Sequence, residues 1–127
     1  MNVTAIFAIA ILLPQITRNQ YLQFLIPISM MLVKDYLIGF HSLMFVTYSC
    51  TILFVLLGKY LNEIYATFIG VLLWHLIVNF AVWWSYGGNL LQTYILAIPF
   101  DFNLLVSTLI CVILGKLCLG LYYRYYY

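Results

Sequence analysis

The sequence has very few charged residues: only 6% of its 127 residues are Asp, Glu, Lys or Arg, whereas soluble domains contain about 25%. The formal net charge of +2 is too small for the basic surface that binds nucleic acid. Hydrophobic residues make up 67% of the chain, against about 45–50% in soluble domains. One core of this size could not bury so much apolar surface, so the composition predicts a membrane protein with no nucleic-acid partner.

Residues that carry enzyme chemistry are also scarce. The three Asp and Glu residues each fall at the predicted boundary of an apolar segment. The sequence contains no hydrolase triad, phosphate loop or paired acidic motif, and its three cysteines lack the short paired spacing of metal ligands. We therefore expect no enzymatic activity, no cofactor and no metal site.

The apolar segments predict one all-α domain over residues 1–127, a polytopic transmembrane bundle of five or six helices. A helix of about 20 apolar residues crosses the roughly 30 Å hydrocarbon core of a bilayer. The fifth segment contains Pro99 and has only about 11 residues, enough for half of that thickness, so it is either a short tilted helix or a re-entrant segment. The predicted spans are residues 3–16, 21–33, 43–57, 64–86, 90–100 and 104–121.

The basic residues give two possible orientations. With six crossings, Lys34 and Arg124 lie on one side and Arg18 and Lys59 on the other, a tie under the rule that cytoplasmic loops are the more positive ones. If residues 90–100 do not cross, Arg124 joins Arg18 and Lys59. The charges favour this second arrangement.

Two polar residues lie inside the longest apolar segment. His75 and Asn79 are four residues apart and therefore share one helix face. Polar side chains at such a depth normally point into a bundle or a cavity. The simpler interpretation is a hydrogen bond to another helix, and the alternative is a ligand site or a proton path. On the same helix, Ala66 and Gly70 form a small-xxx-small pair that would let a neighbouring helix approach closely.

The segment KDYLIGFH, residues 34–41, gathers Lys, Asp and His in a chain that has few of each. The simpler interpretation is an interfacial turn, in which Lys34 and Asp35 lie at the water boundary and Gly39 supplies the bend. A charge there avoids the cost of at least about 2.5–3.5 kcal/mol at the bilayer centre. The alternative is that Asp35 and His41 form a polar cluster that contacts a substrate, a lipid headgroup or a partner subunit.

The carboxyl-terminal tail and the residue usage bear on location. Aromatic rings with polar edges favour the headgroup level, so we expect the tail to be an interface anchor. The 12 tyrosines favour an AT-rich genome, mitochondrial or that of a reduced bacterium, and the low Lys content favours the mitochondrial inner membrane over a bacterial one. The tail comprises Tyr122, Tyr123, Arg124, Tyr125, Tyr126 and Tyr127.

Three stretches carry a family resemblance: NVTAIFAIAI, YLQFLIPISMMLVKDYLIGFH and NFAVWWSYGGNLLQTYILAIPFDFNLL. They resemble a family of small bacterial inner-membrane proteins of unassigned function, which is itself similar to the substrate-binding S components of energy-coupling-factor vitamin transporters. The matching motifs are an acidic residue with Gly-Phe-His, Asn-Phe-x-Val-Trp, and Tyr-x-x-Ala-x-Pro-Phe. They fall on Asp35, Gly39, Phe40 and His41, on Asn79, Phe80, Val82 and Trp83, and on Tyr94, Ala97, Pro99 and Phe100.

The chain departs from that family's pattern at three places. Lys34 replaces a Ser, Ser107 and Thr108 stand where Gly-Asp is expected, and the family's first helix has no counterpart before Met1. A substrate site that used the first helix would be incomplete here.

Short loops and little polar surface favour a chain that is covered by neighbouring proteins. We therefore expect a structural or accessory subunit of a large inner-membrane complex, such as a respiratory complex or the ATP synthase, with other membrane subunits and lipids such as cardiolipin as partners. The alternative implied by the resemblance is an S-component-like transport protein that binds a solute. Its pocket would be lined by His75, Asn79, Trp83 and Tyr94.

Overall fold

The chain folds into an all-α bundle, as the sequence predicts. A computed structural model describes residues 4–126, so Val3, predicted to start the first span, and Tyr127 lie outside the described residues. Successive helices run antiparallel and are joined by short turns. The five helices are α1 Thr4–Ile16, α2 Gln20–Ile38, α3 Met44–Tyr60, α4 Glu63–Tyr86 and α5 Leu90–Tyr126.

The shortest helix, α1, is the centre of the bundle. It contacts each of the other four helices, and most of its residues are buried because nearly all of them are apolar. Its first residue, Thr4, is 2.9 Å from Ser107 of α5 between the hydroxyl oxygens, and Gln15 near its end donates a hydrogen bond to Glu63 of α4. The helix therefore occupies only the half of the bundle that contains Glu63.

The core depends on close approaches at small residues. Phe7 of α1 stacks on Phe54 of α3 with ring centroids 4.2 Å apart. Gly70 of α4 packs on the same Phe54 ring, where a Cβ atom would lie 2.3 Å from a ring carbon. At Gly70 of the predicted small-xxx-small pair, α4 therefore receives a side chain of the neighbouring helix α3. On α3, a Cβ at Gly58 would lie 2.3 Å from the carbonyl oxygen of Ile11, so only Gly allows these two backbones to touch.

Three predicted boundaries were wrong. The spans 90–100 and 104–121 are one helix of 37 residues that contains Pro99. A proline removes only one intrahelical hydrogen bond, which neighbouring groups in a membrane bundle tolerate. The second helix runs through Lys34 and Asp35 to Ile38 instead of ending at Val33. The third continues through Gly58 and Lys59 to Tyr60 instead of ending at Leu57.

The bundle has the dimensions of a membrane domain. Helices α2, α4 and α5 are long and apolar enough to cross a bilayer, and α1 and α3 are shorter apolar helices. Tyr65 and Tyr86 near the two ends of α4 are exposed and lie about 32 Å apart along the helix axis, which matches the spacing of the two aromatic belts of a membrane protein. The chain is therefore a multi-pass membrane protein, and His75 lies near the middle of the bilayer.

Candidate functional site

A polar cluster joins the middle of α4 to the first half of α5. The Nδ1 atom of His75 lies 2.5 Å from Oδ2 of Asp101, and the side-chain amide of Asn79 donates to the same oxygen at 3.1 Å. That amide also donates to the backbone carbonyl of His75 at 2.7 Å. The Oδ2 atom of Asp101 therefore contacts two side chains of α4. The interhelical hydrogen bond expected from His75 or Asn79 is present, and its acceptor is Asp101.

The predicted segment ends at Phe100 because Asp101 interrupts the run of uncharged residues, and this boundary is wrong. In the structure Asp101 lies inside α5 at the depth of His75. The sequence does contain a signal for this contact: a polar pair, His75 and Asn79, in one apolar segment and a carboxylate, Asp101, beside another. Polar side chains that cannot reach water normally bind one another.

Tyr94 forms part of the wall beside this cluster. Its ring centroid lies 5.5 Å from that of His75, and its hydroxyl donates to the backbone carbonyl of Leu76 at 2.9 Å. The phenol thus bridges α5 to α4 at the residue after His75. The described hydrogen bonds of the His75 ring go to its Nδ1 atom, so Nε2 has no described hydrogen-bond partner.

An open cavity of about 410 Å³ lies against the cluster, between α4 and α5. The side chains of His75 and Asp101 retain 18% and 14% of their exposure, so the pair is accessible from the cavity. Every other lining residue is apolar. These residues are Phe68, Ile69, Val71, Leu72, Ile98, Phe102 and Leu105.

A second polar cluster lies near the turn between α2 and α3. Asp35 is almost fully buried, at 1% exposure, with its Oδ1 atom 2.8 Å from Lys34 Nζ and 3.6 Å from His41 Nε2. Gly39 caps α2 with φ of 123°, a backbone angle that favours glycine. The predicted polar cluster of Asp35 and His41 therefore exists. Asp35 is buried inside the bundle, and α2 continues past it to Ile38.

A third cluster fixes the opposite end of the bundle. Glu63, the first residue of α4, accepts hydrogen bonds from Lys116 of α5 and from Gln15 of α1 at 3.2 Å. Three helices thus meet at one carboxylate. This cluster is not predicted by the sequence, because Gln15, Glu63 and Lys116 are far apart in the chain.

The other residues predicted to be functional have the following places in the fold. Trp83 donates from its indole to the carbonyl of Gly88 at 3.0 Å, so it holds the turn before α5 and does not contact the central cluster through a described hydrogen bond. Pro99 lies within α5, two residues before Asp101. The tail continues α5 as helix and is exposed, and its residues are Tyr122, Tyr123, Arg124, Tyr125 and Tyr126.

Residues 4–126 contain no group of three His, Cys, Asp or Glu side chains that could hold a metal ion. The central cluster offers one imidazole and one carboxylate to the cavity. Its chemistry is therefore hydrogen bonding to a molecule in the cavity, or the movement of a proton within the pair.

Comparison with known proteins gives a family and no function. A model described as a family of unknown function (DUF6580) matches residues 1–123. No curated protein and no solved structure matches the chain.

Proposed function

The chain belongs to the DUF6580 family, whose function is unknown, and from its own structure we propose that it is a membrane-embedded binding protein for a small lipophilic molecule. The observation that carries this proposal is the His75–Asp101 pair, which faces an apolar cavity of about 410 Å³. A cavity of this size is typical of small-molecule sites, which combine apolar walls with a few polar groups.

The depth of the pair supports binding over a purely structural role. Ionisable residues in the middle of a bilayer are costly and normally mark a ligand site or an ion path. A pair that only held two helices together would be stabilised best by complete enclosure, because partial contact with hydrocarbon leaves polar atoms without partners. Here both partners face the cavity. A bound molecule would supply the missing contacts.

The resemblance to S components of vitamin transporters suggests a solute as the ligand. Of the four residues expected to line a pocket, His75 lines this cavity and the other three do not. Asn79 and Tyr94 each contact His75. In a transporter of this type the chain would bind the solute, and a separate energising module would drive its release. This arrangement remains part of the proposal.

The test is recovery of a small molecule with the purified protein. Wild type and a double variant, His75→Leu with Asp101→Leu, are extracted from the membrane in polymer-bounded lipid discs. Organic extracts are then compared by mass spectrometry. We expect one compound close to a 1:1 ratio with wild type and its loss from the double variant. Equal extracts from the two proteins would contradict binding at this site.

A second candidate function is an accessory subunit of a large inner-membrane complex, such as a respiratory complex or the ATP synthase. It is favoured by the extent of apolar surface: only 17% of the most apolar window of α5 is buried within the chain. About ten residues of α5 also extend past Lys116, roughly 15 Å beyond the Glu63 end of the bundle. Partner helices and lipids such as cardiolipin would cover these surfaces.

Native electrophoresis in mild detergent separates the two candidates. Migration with a large complex in fixed stoichiometry, unchanged by loss of the His75–Asp101 pair, supports the subunit. Migration as a small species that retains a small molecule supports the binding protein. The tyrosine-rich and lysine-poor composition leads us to propose the mitochondrial inner membrane as the location, with a bacterial inner membrane as the alternative. Fractionation of source cells tests this location.

A further inference from the structure

We propose that the ligand of this cavity is an uncharged, largely apolar compound that presents a carbonyl or similar hydrogen-bond acceptor to the Nε2–H group of His75. This inference rests on the proposed binding function and names the chemical class of the ligand. It follows from the charge of the His75–Asp101 pair, from the position of its protons and from the composition of the cavity wall.

The charge of the pair restricts the charge of the ligand. An isolated ion in the middle of a bilayer is strongly unfavourable, and the described residues place no third charged side chain in hydrogen-bond contact with His75 or Asp101. The pair is therefore most stable when it is neutral overall. A ligand carboxylate or ammonium would add an uncompensated charge at the same depth.

The protons of the pair determine what His75 offers to the cavity. Two neutral states are available: imidazolium with carboxylate, or neutral imidazole with carboxylic acid. In the first state both ring nitrogens carry a proton. In the second, Nδ1 accepts a hydrogen bond from the Asp101 carboxylic acid across the 2.5 Å contact, so the imidazole proton must be on Nε2. In both states Nε2 is a donor, and its partner must be an acceptor.

The wall of the cavity restricts the rest of the ligand. Apart from the pair, all lining residues are apolar, and Phe68 and Phe102 place aromatic rings on α4 and α5. Both rings are well exposed in the structure, as expected for an opening that faces the acyl chains. A molecule with one acceptor and an apolar body would enter from the bilayer and match these surfaces.

The experiment compares four probes of similar length with the wild-type protein in lipid nanodiscs. They are a decyl-substituted benzoquinone, decylbenzene, decanoate and dodecylamine. Saturable binding is measured above partition into empty nanodiscs. We expect the benzoquinone to bind at least about tenfold more tightly than decylbenzene, which corresponds to one hydrogen bond with a charge-assisted donor. Decanoate and dodecylamine should not exceed decylbenzene.

Two variants connect the result to the site. The double variant His75→Leu with Asp101→Leu should reduce the preference for benzoquinone over decylbenzene to within about twofold. The control Thr108→Val changes a buried polar side chain of α5 outside the cavity lining and should keep the preference. Folding of each protein is checked by its monodisperse elution and helical circular dichroism.

Each possible outcome has a distinct meaning. Tighter, pair-dependent binding of decanoate or dodecylamine would overturn the ligand class and leave the binding function in place. If no probe binds while wild type still retains its own compound in the extraction experiment, the ligand class is again overturned and the binding function is left in place. Equal binding of the benzoquinone to wild type and double variant would place the probe elsewhere and overturn the inference.

Discussion

The Nδ1 atom of His75 and the Oδ2 atom of Asp101 are 2.5 Å apart, and they join two helices near the middle of the bilayer. Asn79 donates to the same carboxylate oxygen. The contact explains how α5 carries an acidic residue through an apolar environment without a break. It also makes the stability of the bundle depend on both partners together.

Removing one partner should cost more stability than removing both. His75→Leu leaves the Asp101 carboxylate with only the Asn79 donor, and we expect a loss of about 2–4 kcal/mol in the free energy of unfolding. Asp101→Leu removes the acceptor of the His75 and Asn79 side chains and should also cost stability. The double variant should lie closer to wild type than His75→Leu does. The free energy of unfolding of wild type, the two single variants and the double variant is measured by reversible unfolding in detergent micelles. Strictly additive losses would show that the pair is not coupled.

Gly58 gives a second prediction that concerns the fold alone. Gly58→Ala would place a Cβ 2.3 Å from the Ile11 carbonyl oxygen, so α1 and α3 must separate. We expect a loss of about 1–3 kcal/mol. Gly120→Ala is the matched control, since no atom lies within 4 Å of its added Cβ and alanine favours the helix. Equal effects of the two substitutions on the thermal midpoint would contradict the close approach.

Pro99 distinguishes the continuous helix from the predicted break. Pro99→Ala restores a backbone N–H group inside α5, where a residue four positions earlier can accept it. The substitution should keep or raise the thermal midpoint and leave the helical content unchanged. A re-entrant segment that needs the proline for its turn would instead lose stability. A clear fall in the midpoint would therefore favour the broken segment.

The sequence predicted most of this architecture because apolar segments in a membrane protein must form helices. It failed where a polar residue has a partner that is distant in the chain. The charges of Lys34 and Asp35 predict a helix end, yet the two side chains bind each other inside α2. The charge of Asp101 predicts a boundary, yet His75 and Asn79 form hydrogen bonds with this residue inside the bundle.

Gly58 shows the same limit for a residue without a side chain. Followed by Lys59 in the sequence, it matched the pattern of a helix cap. Its actual role is the contact with the backbone of α1, which depends on the packing of two helices and leaves no local signal. The His75 and Asn79 pair could be predicted as a candidate site, whereas its acceptor and the cavity beside it required the tertiary structure.

The continuous α5 also predicts the orientation. Arg18, Lys59, Lys116 and Arg124 lie toward the Glu63 end of the bundle, and Lys34 toward the other. The more basic end should face the cytoplasm, or the matrix in mitochondria. Single cysteines at Gln20 and Ser42, in a Cys118→Ser background because Cys118 is exposed, report the two ends. In sealed right-side-out vesicles an impermeant maleimide should label Ser42→Cys and spare Gln20→Cys, and the reverse pattern would contradict this orientation.

The most direct test of the account is the mass of the protein released from lipid discs into a native mass spectrometer. For wild type the account predicts one bound small molecule per chain that survives removal of loosely held lipid. The double variant His75→Leu with Asp101→Leu should give the bare chain, and Thr108→Val should match wild type. A bare wild-type chain, or an added mass that both variants retain equally, would contradict the claim that the His75–Asp101 pair binds a ligand inside the membrane.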